Sequence, residues 1–247
     1  MTIWAIADLH LALSVPGKNM AVFGPLWDNY MERIEAKWRA LVHKDDLVLL
    51  AGDLCWAMRL EEAKVELGWL EQLPGTKLLL RGNHDYWWAS SAKMASFMPP
   101  SVHFIHNTAF NWHDVTIGGA RLWDTDEYNF HSYIHFQDNP RAAKKEVVDN
   151  QDREKIFCRE LERLKLSLQQ LNPSAKKRIA MTHYPPISAD LKPSRTAKIL
   201  EEFQIELCVF GHLHNLKKDQ PLFGERQGVR YVLTSADYLD FTPVRLL

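Results

Sequence analysis

The chain has 247 residues, of which 46% are hydrophobic and 25% charged, with a formal net charge of −1. That length suits one large domain or two small ones, and the composition excludes a disordered chain. The near-zero charge argues against a broad electrostatic footprint for nucleic acid or anionic lipid. Three cysteines, Cys55, Cys158 and Cys208, form no CxxC pair. A disulfide framework or cysteine zinc site is therefore not expected, and a reducing cytoplasm is. The start, Thr2 to Ala7, has no basic region and meets Asp8 at once, so no secretory signal is expected. No apolar run approaches the ~18 residues that span a membrane. Nine tryptophans are many for this length, and some are expected at a surface cleft.

Ile3 to Ala7 reads as a first strand, ending in Asp8-Leu9-His10. A loop with Pro16-Gly17 and Gly24-Pro25 follows. Tyr30, Ile34, Trp38 and Leu41 recur at helical spacing and predict a helix over 28–42. Leu47 to Ala51 is a second buried strand, ending in Gly52-Asp53. Leu60, Ala63, Leu67, Leu70 and Leu73 predict a helix closed by Pro74-Gly75. Lys77 to Leu80 is a third strand, leaving into Arg81-Gly82-Asn83-His84-Asp85. Strand–helix–strand–helix–strand is the pattern of βαβ units around a parallel sheet, whose carboxyl edge is where ligands bind.

The second half is less regular. Residues 102–106, 109–112 and 115–117 read as strands, with a turn at His113-Asp114. Residues 118–150 carry many aromatic and polar groups without a clean period. Arg153 to Leu171 reads as a helix, Ile179 to Met181 as a strand, 195–203 as a helix and Leu207 to Phe210 as a strand. Final strands are expected at Tyr231 to Thr234 and at the apolar C-terminus. No repeat or linker interrupts the chain, so one domain over 1–247 is the simplest reading.

Five strand ends carry polar clusters: Asp8-x-His10, Gly52-Asp53, Gly82-Asn83-His84-Asp85, His183, and Gly211-His212-x-His214. Each alone is weak, but together they are hard to obtain by chance. Glycine before the polar residue suits a sharp strand exit. Carboxylate, imidazole and amide oxygen without thiolate favour Mn, Fe, Zn, Co or Ni over a structural zinc knot. Asp8, His10, Asp53, Asn83, His183, His212 and His214 are too many for one tetrahedral site and suit two metals sharing a carboxylate. Two such ions ~3.5–4 Å apart can clamp the attacking and leaving oxygens of a displacement at phosphorus.

The ordered set resembles the calcineurin-like metallophosphoesterase superfamily, with its five blocks running in that order from residue 8 to 214. Asp28-Asn29-Tyr30, Trp56-Ala57-Met58 and Asn83 to Trp88 also resemble a branch of small, mostly bacterial phosphohydrolases. The resemblance implies an α/β fold, a four-layer α/β/β/α sandwich of two mixed sheets flanked by helices. It implies two divalent metal ions, with Mn²⁺ foremost, and a small phosphomonoester or phosphodiester as substrate, cleaved by metal-activated hydroxide. Asp8, His10 and His214 would bind the first metal, Asn83, His183 and His212 the second, and Asp53 both. His84 would face the scissile phosphate as the catalytic residue without binding metal.

There are departures from the family pattern. The protein Ser/Thr phosphatase branch has Asp-Arg-Gly where this chain has Trp56-Ala57-Met58, which argues against a protein phosphatase. Lipid A precursor hydrolases usually carry arginine in place of His84. Arg81 and Arg121 remain as candidate phosphate contacts, and Tyr184 as a pocket-lining residue; solvated, ion-paired or merely packed side chains are the bland readings. Residues 124–150 form a candidate substrate lid, with His131 and His135 as surface or lid residues. Asp85 is expected to cap the following helix, and Cys55 to be a small buried hydrophobe. The alternatives are a nuclease or nucleotide phosphodiesterase of the same superfamily, and a non-catalytic scaffold on the same fold. The absence of a basic stripe opposes nucleic acid as a partner, and the full ligand set opposes a scaffold.

Overall fold

Burial sorts the strands into two sheets. In the computed structural model, which describes residues 1–135, 150–219 and 222–247, the first sheet is built from β1 (Ile3–Ile6), β2 (Leu47–Leu50), β3 (Thr76–Leu79), β4 (Val102–Phe104) and β11 (Val244–Arg245). The second holds β5 (Phe110–Trp112), β6 (Val115–Ala120), β7 (Lys177–Thr182), β8 (Leu207–Phe210), β9 (Gly224–Arg226) and β10 (Val229–Leu233). The helices are α1 (Tyr30–Leu41), α2 (Leu60–Glu71), α3 (Ser91–Ala95), α4 (Asn150–Leu168) and α5 (Arg195–Glu202).

The first sheet runs β11-β1-β2-β3-β4 and the second β5-β6-β7-β8-β10-β9. Both are parallel inside, with antiparallel strands at their edges: β11 in the first, β5 and β9 in the second. The register places Ile6 beside Leu50 and Leu50 beside Leu79. Because side chains alternate across a strand, Ile6, Val48, Leu50 and Leu79 face α1 and α2. Ala5, Leu47, Leu49 and Leu78 face the other sheet, meeting Ile117, Ile179, Met181 and Val209. On that sheet's outer face Ala180, Cys208 and Phe210 meet α4 and α5 through Phe157, Leu161, Leu164 and Leu200. Three apolar layers thus separate four layers of secondary structure, and the fold is the α/β/β/α sandwich.

The helices form where apolar residues recur along one face. Tyr30, Ile34 and Trp38 give α1 its buried stripe, with Glu32 and Arg39 placed to suit the helix dipole. Trp38 is fully buried and its indole donates to the Pro74 carbonyl at 2.9 Å; truncating it would cost about 3–5 kcal/mol. The helix begins two residues after the predicted 28 because Asn29 adopts a left-handed conformation. The predicted helix over 153–171 starts at Asn150 and stops at Leu168, short of Pro173, whose ring disfavours helical geometry before it. Three 3-10 turns between Pro16 and Trp27, the short α3 and the strand β9 carry too few residues to show a period.

Candidate metal centre

Every parallel strand of interest leaves its sheet at the same edge. After β1 come Asp8 and His10, after β2 Asp53, after β3 Asn83 and His84, after β7 His183, and after β8 His212 and His214. The exits are stitched across both sheets. Asp8 N donates to the Gly52 carbonyl and His10 N to the Asp53 carbonyl, each at 3.0 Å. His212 N donates to Asp8 Oδ2 at 2.9 Å. Asp8, His10, Asp53 and His212 all have positive φ, from 45° to 74°. Side chains with a Cβ rarely adopt that geometry, and its concentration here is the strain expected of a functional site.

The glycines of these blocks make room for the site, and Gly52 also makes a turn. Gly52, at φ 101°, does supply the sharp exit that the sequence suggested. Gly82 supplies space: a Cβ there would collide with the Asp53 carboxylate and backbone nitrogen.

The structure brings all seven candidate ligands together. Asp8, His10 and His214 place ligand atoms within 4.8 Å of one another, and so do Asp8, Asp53 and His183. His10 Nε2 lies 3.2 Å from His214 Nε2. Asn83 Oδ1 lies 2.7 Å from His183 Nε2 and 2.9 Å from His212 Nδ1. Between the two groups sits Asp53, with Oδ2 at 3.8 Å from His10 Nε2 and 3.5 Å from His183 Nε2.

The donor set fits divalent cations. Among the described residues Asp8 Oδ1 is buried without a hydrogen-bond partner, a costly state for a carboxylate unless a cation compensates it. His183 Nδ1 lies 3.0 Å from the Ala51 carbonyl, which only accepts, so Nδ1 carries the hydrogen. Its Nε2 then presents a lone pair beside Asn83 Oδ1, as oriented here. Burial drives the carboxylates toward protonation: Asp8 is pushed up to about 8, and Asp53 is also raised. Burial likewise pulls His183 down to about 3 and His10 well below the ordinary imidazole range. Buried carboxylates that keep their protons beside imidazoles that refuse them mark a site that a divalent ion would complete.

One supporting residue escaped the sequence reading. Asp237, in the loop after β10, is 3% exposed; its Oδ1 lies 2.9 Å from His214 Nδ1 and its Oδ2 accepts from Asn215 N at 2.9 Å. Burial opposes protonation of His214, but Asp237, Asp8 and Asp53 outweigh it and lift the imidazole to about 9. The signal was present as one more polar strand end, Ser235-Ala236-Asp237, but it lacked a second ligand type.

The reading of Asp85 needs correction. It caps no helix, since α3 begins at Ser91. Fully buried, it accepts from Asp53 N, Leu54 N, Gly82 N and the Trp87 indole at 2.7–3.0 Å. It thereby ties the Asp53 loop to the Asn83 loop.

Aromatic rings wall the site. Trp56 stacks on His10 at 4.8 Å between centroids and packs against His84 at 4.7 Å. Trp27 presents its edge to His10 and His214, and the Tyr30 hydroxyl donates to the His10 carbonyl at 2.6 Å. His84 N donates to Asp53 Oδ1 at 2.8 Å, so the residue beside Asn83 also positions the shared carboxylate.

Tyr184 is buried with its ring 4.0 Å from that of His212. A cavity of about 200 Å³ lies against this pair, lined also by Trp123, Asp124, Tyr128 and Phe130. The described part of the candidate lid, 124–135, therefore borders His212, while residues 136–149 of it lie outside the described residues. Exposed His131 lines the same cavity and joins neither ligand cluster; His135 joins neither cluster as well. Arg121 stacks its guanidinium over Trp123 at 4.6 Å and reaches Glu160 at 3.5 Å. Arg81 is partly buried and forms no ion pair among the described residues. Cys55 is fully buried, and burial raises its thiol well above the ordinary range.

A two-sheet sandwich with carboxylates, histidines and an amide gathered at one edge defines a metallophosphoesterase-type site. The chain belongs to the calcineurin-like phosphoesterase family, whose sequence profile matches residues 1–216. That family implies divalent metal ions at the site. Two curated relatives, the Gene 66 proteins of Mycobacterium phages D29 and L5, are 31% and 32% identical over 83 and 85 residues. These matches cover 34% and 33% of this chain, which spans about two fifths of the relatives' length, 40% and 39%. The crystal structure of a phosphopantetheinyl hydrolase from Mycobacterium tuberculosis has a similar fold, with a TM-score of 0.55 at 16% identity. That similarity covers 100% of this chain and 95% of the other. Among the described residues no helix is long and apolar enough to cross a membrane.

Proposed function

We propose that the chain is a dinuclear metal-dependent phosphohydrolase acting on a small phosphomonoester or phosphodiester. The observation that carries this reading is Asp53, whose Oδ2 stands between His10 Nε2 and His183 Nε2 at 3.8 and 3.5 Å. Asp8, His10 and His214 would hold one divalent ion, Asn83, His183 and His212 the other, and Asp53 would serve both. When bound, such ions would neutralise charge at phosphoryl oxygens and lower the pKa of a bound water toward neutrality. Mn²⁺ suits the oxygen and imidazole donors, and Fe, Zn, Co or Ni remain compatible.

The chain's own residues hold and steer. His84, held through its backbone bond to Asp53 and packed on Trp56, donates a proton to the leaving oxygen. A positioned acid of this kind contributes roughly 10²–10⁴ in rate. Asp237 orients His214, and Asp85 fixes the spacing of the Asp53 and Asn83 loops. The aromatic cavity beside Tyr184 and His212 receives the leaving group, with segment 124–150 as its lid.

The test is hydrolysis of p-nitrophenyl phosphate and its bis ester after chelator stripping and Mn²⁺ addition. Turnover restored by metal supports the reading. No restored turnover on either ester, nor on a broad phosphate panel, overturns it.

A further inference from the structure

A second cavity, about 70 Å³, lies between the ends of β3, β4 and β6 and the flank of α4. Its lining includes Arg81, His106, Arg121, Glu160 and Arg163. Two of its arginines adjoin the candidate ligands through the backbone. Arg81 stands two positions before Asn83, and the Arg121 carbonyl accepts from both His183 N and Tyr184 N.

Among the described residues the charges in this cavity do not balance. Three guanidinium groups line it with one described carboxylate, Glu160, whose Oε1 lies 2.6 Å from Arg163 and 3.5 Å from Arg121. Among the described residues Arg81 Nε, Arg121 Nε and His106 Nδ1 are all buried without a hydrogen-bond partner. Withdrawing the two guanidinium donors from water without an acceptor is unfavourable. An anion accepting from them removes that cost, and guanidinium suits phosphate and carboxylate oxygens especially well. The cavity is roomy enough for a small anion.

We propose that this cavity is a subsite for a second anionic group, a phosphate or carboxylate, carried by the same small phosphoester that is cleaved at the Asp53 cluster. The substrate class is therefore doubly anionic. This assignment rests on the hydrolase reading above.

The experiment has two arms. In the first, inorganic pyrophosphate is titrated calorimetrically into chelator-stripped protein. Wild type binds saturably and more weakly as salt rises, and Arg163→Gln and Arg81→Gln each weaken binding about tenfold. Arg163 is 39% exposed on α4, so its variant keeps the fold even if Arg81→Gln does not. In the second arm, with Mn²⁺ restored, kcat/KM is compared for phosphoesters with and without a second phosphate or carboxylate. Wild type prefers the doubly anionic esters, and Arg163→Gln lowers that preference about tenfold. No saturable pyrophosphate binding by wild type, or an equal loss on both ester classes, overturns the proposal. Binding without any preference among esters overturns the substrate assignment and marks the cavity as a site for free anions. If no ester is turned over while pyrophosphate binding and its loss in Arg163→Gln persist, the hydrolase reading falls and the anion site stands.

Discussion

His214 Nδ1 and Asp237 Oδ1 lie 2.9 Å apart, and this pair fixes which nitrogen of His214 turns toward Asp8 and His10. A carboxylate behind a ligating imidazole sets both its tautomer and its basicity. Asp237→Ala is therefore expected to weaken Mn²⁺ binding about 10–100-fold, with Asp237→Asn intermediate because the amide oxygen still accepts from Nδ1. Mn²⁺ titration of the stripped variants measures this. Wild-type affinity in Asp237→Ala would remove Asp237 from the account.

The same groups set a pH dependence. Burial, with Asp53 adding and His214 opposing, pushes Asp8 up to about 8. His214 is lifted to about 9 because its carboxylate neighbours outweigh burial. Near neutral pH the stripped Asp8–His214 pair therefore shares a proton that a divalent ion must displace. Proton competition strengthens as pH falls, so Mn²⁺ affinity should rise from roughly pH 6 to pH 8, with proton release. Calorimetry in two buffers of different ionisation enthalpy detects the released protons. A pH-independent affinity without release would contradict this.

Asp53 and His84 should separate binding from chemistry. Asp53→Asn keeps the shape but removes the shared charge, and both metal equivalents should weaken. His84→Ala should retain metal and fold while the rate drops by roughly 10²–10⁴. Loss of metal together with activity in His84→Ala would show that the division of roles is wrong.

Gly82→Ala tests the spacing of the two loops. The added Cβ would meet Asp53 Oδ1 and Asp53 N, both held in place through Asp85 and His84. Overpacking of this kind typically costs about 1–3 kcal/mol, and here it also displaces the shared carboxylate. A lower Tm with impaired Mn²⁺ binding is the expected result; unchanged binding would mean that the Asp53 loop adapts freely.

Much of this arrangement was legible in the sequence because its ligands sit where apolar runs end. A buried strand announces itself by composition, and the polar residue after it is conspicuous, as at Leu50-Ala51-Gly52-Asp53. The alternation of strands and helices pointed to a parallel sheet with helices on its faces, and the four layers were implied by the family resemblance. What stayed hidden depends on contacts between distant segments. Asp85 looks like a cap from its neighbours alone, yet it serves backbone nitrogens of Asp53 and Leu54, more than thirty residues away. Trp56 replaces a familiar motif, and only the fold shows it stacked on His10. The arginine cavity joins the ends of three strands to α4, a meeting that no local pattern encodes.

The central claim is that Asp53 joins two groups of ligands into one hydrolytic centre. Its most direct test is Mn²⁺ titration of chelator-stripped protein, following bound metal and p-nitrophenyl phosphate turnover in the same samples. The account predicts two bound equivalents in wild type, turnover that rises as the second is filled, and loss of both in Asp53→Asn. Binding of less than one equivalent with no turnover at saturating Mn²⁺ would contradict it.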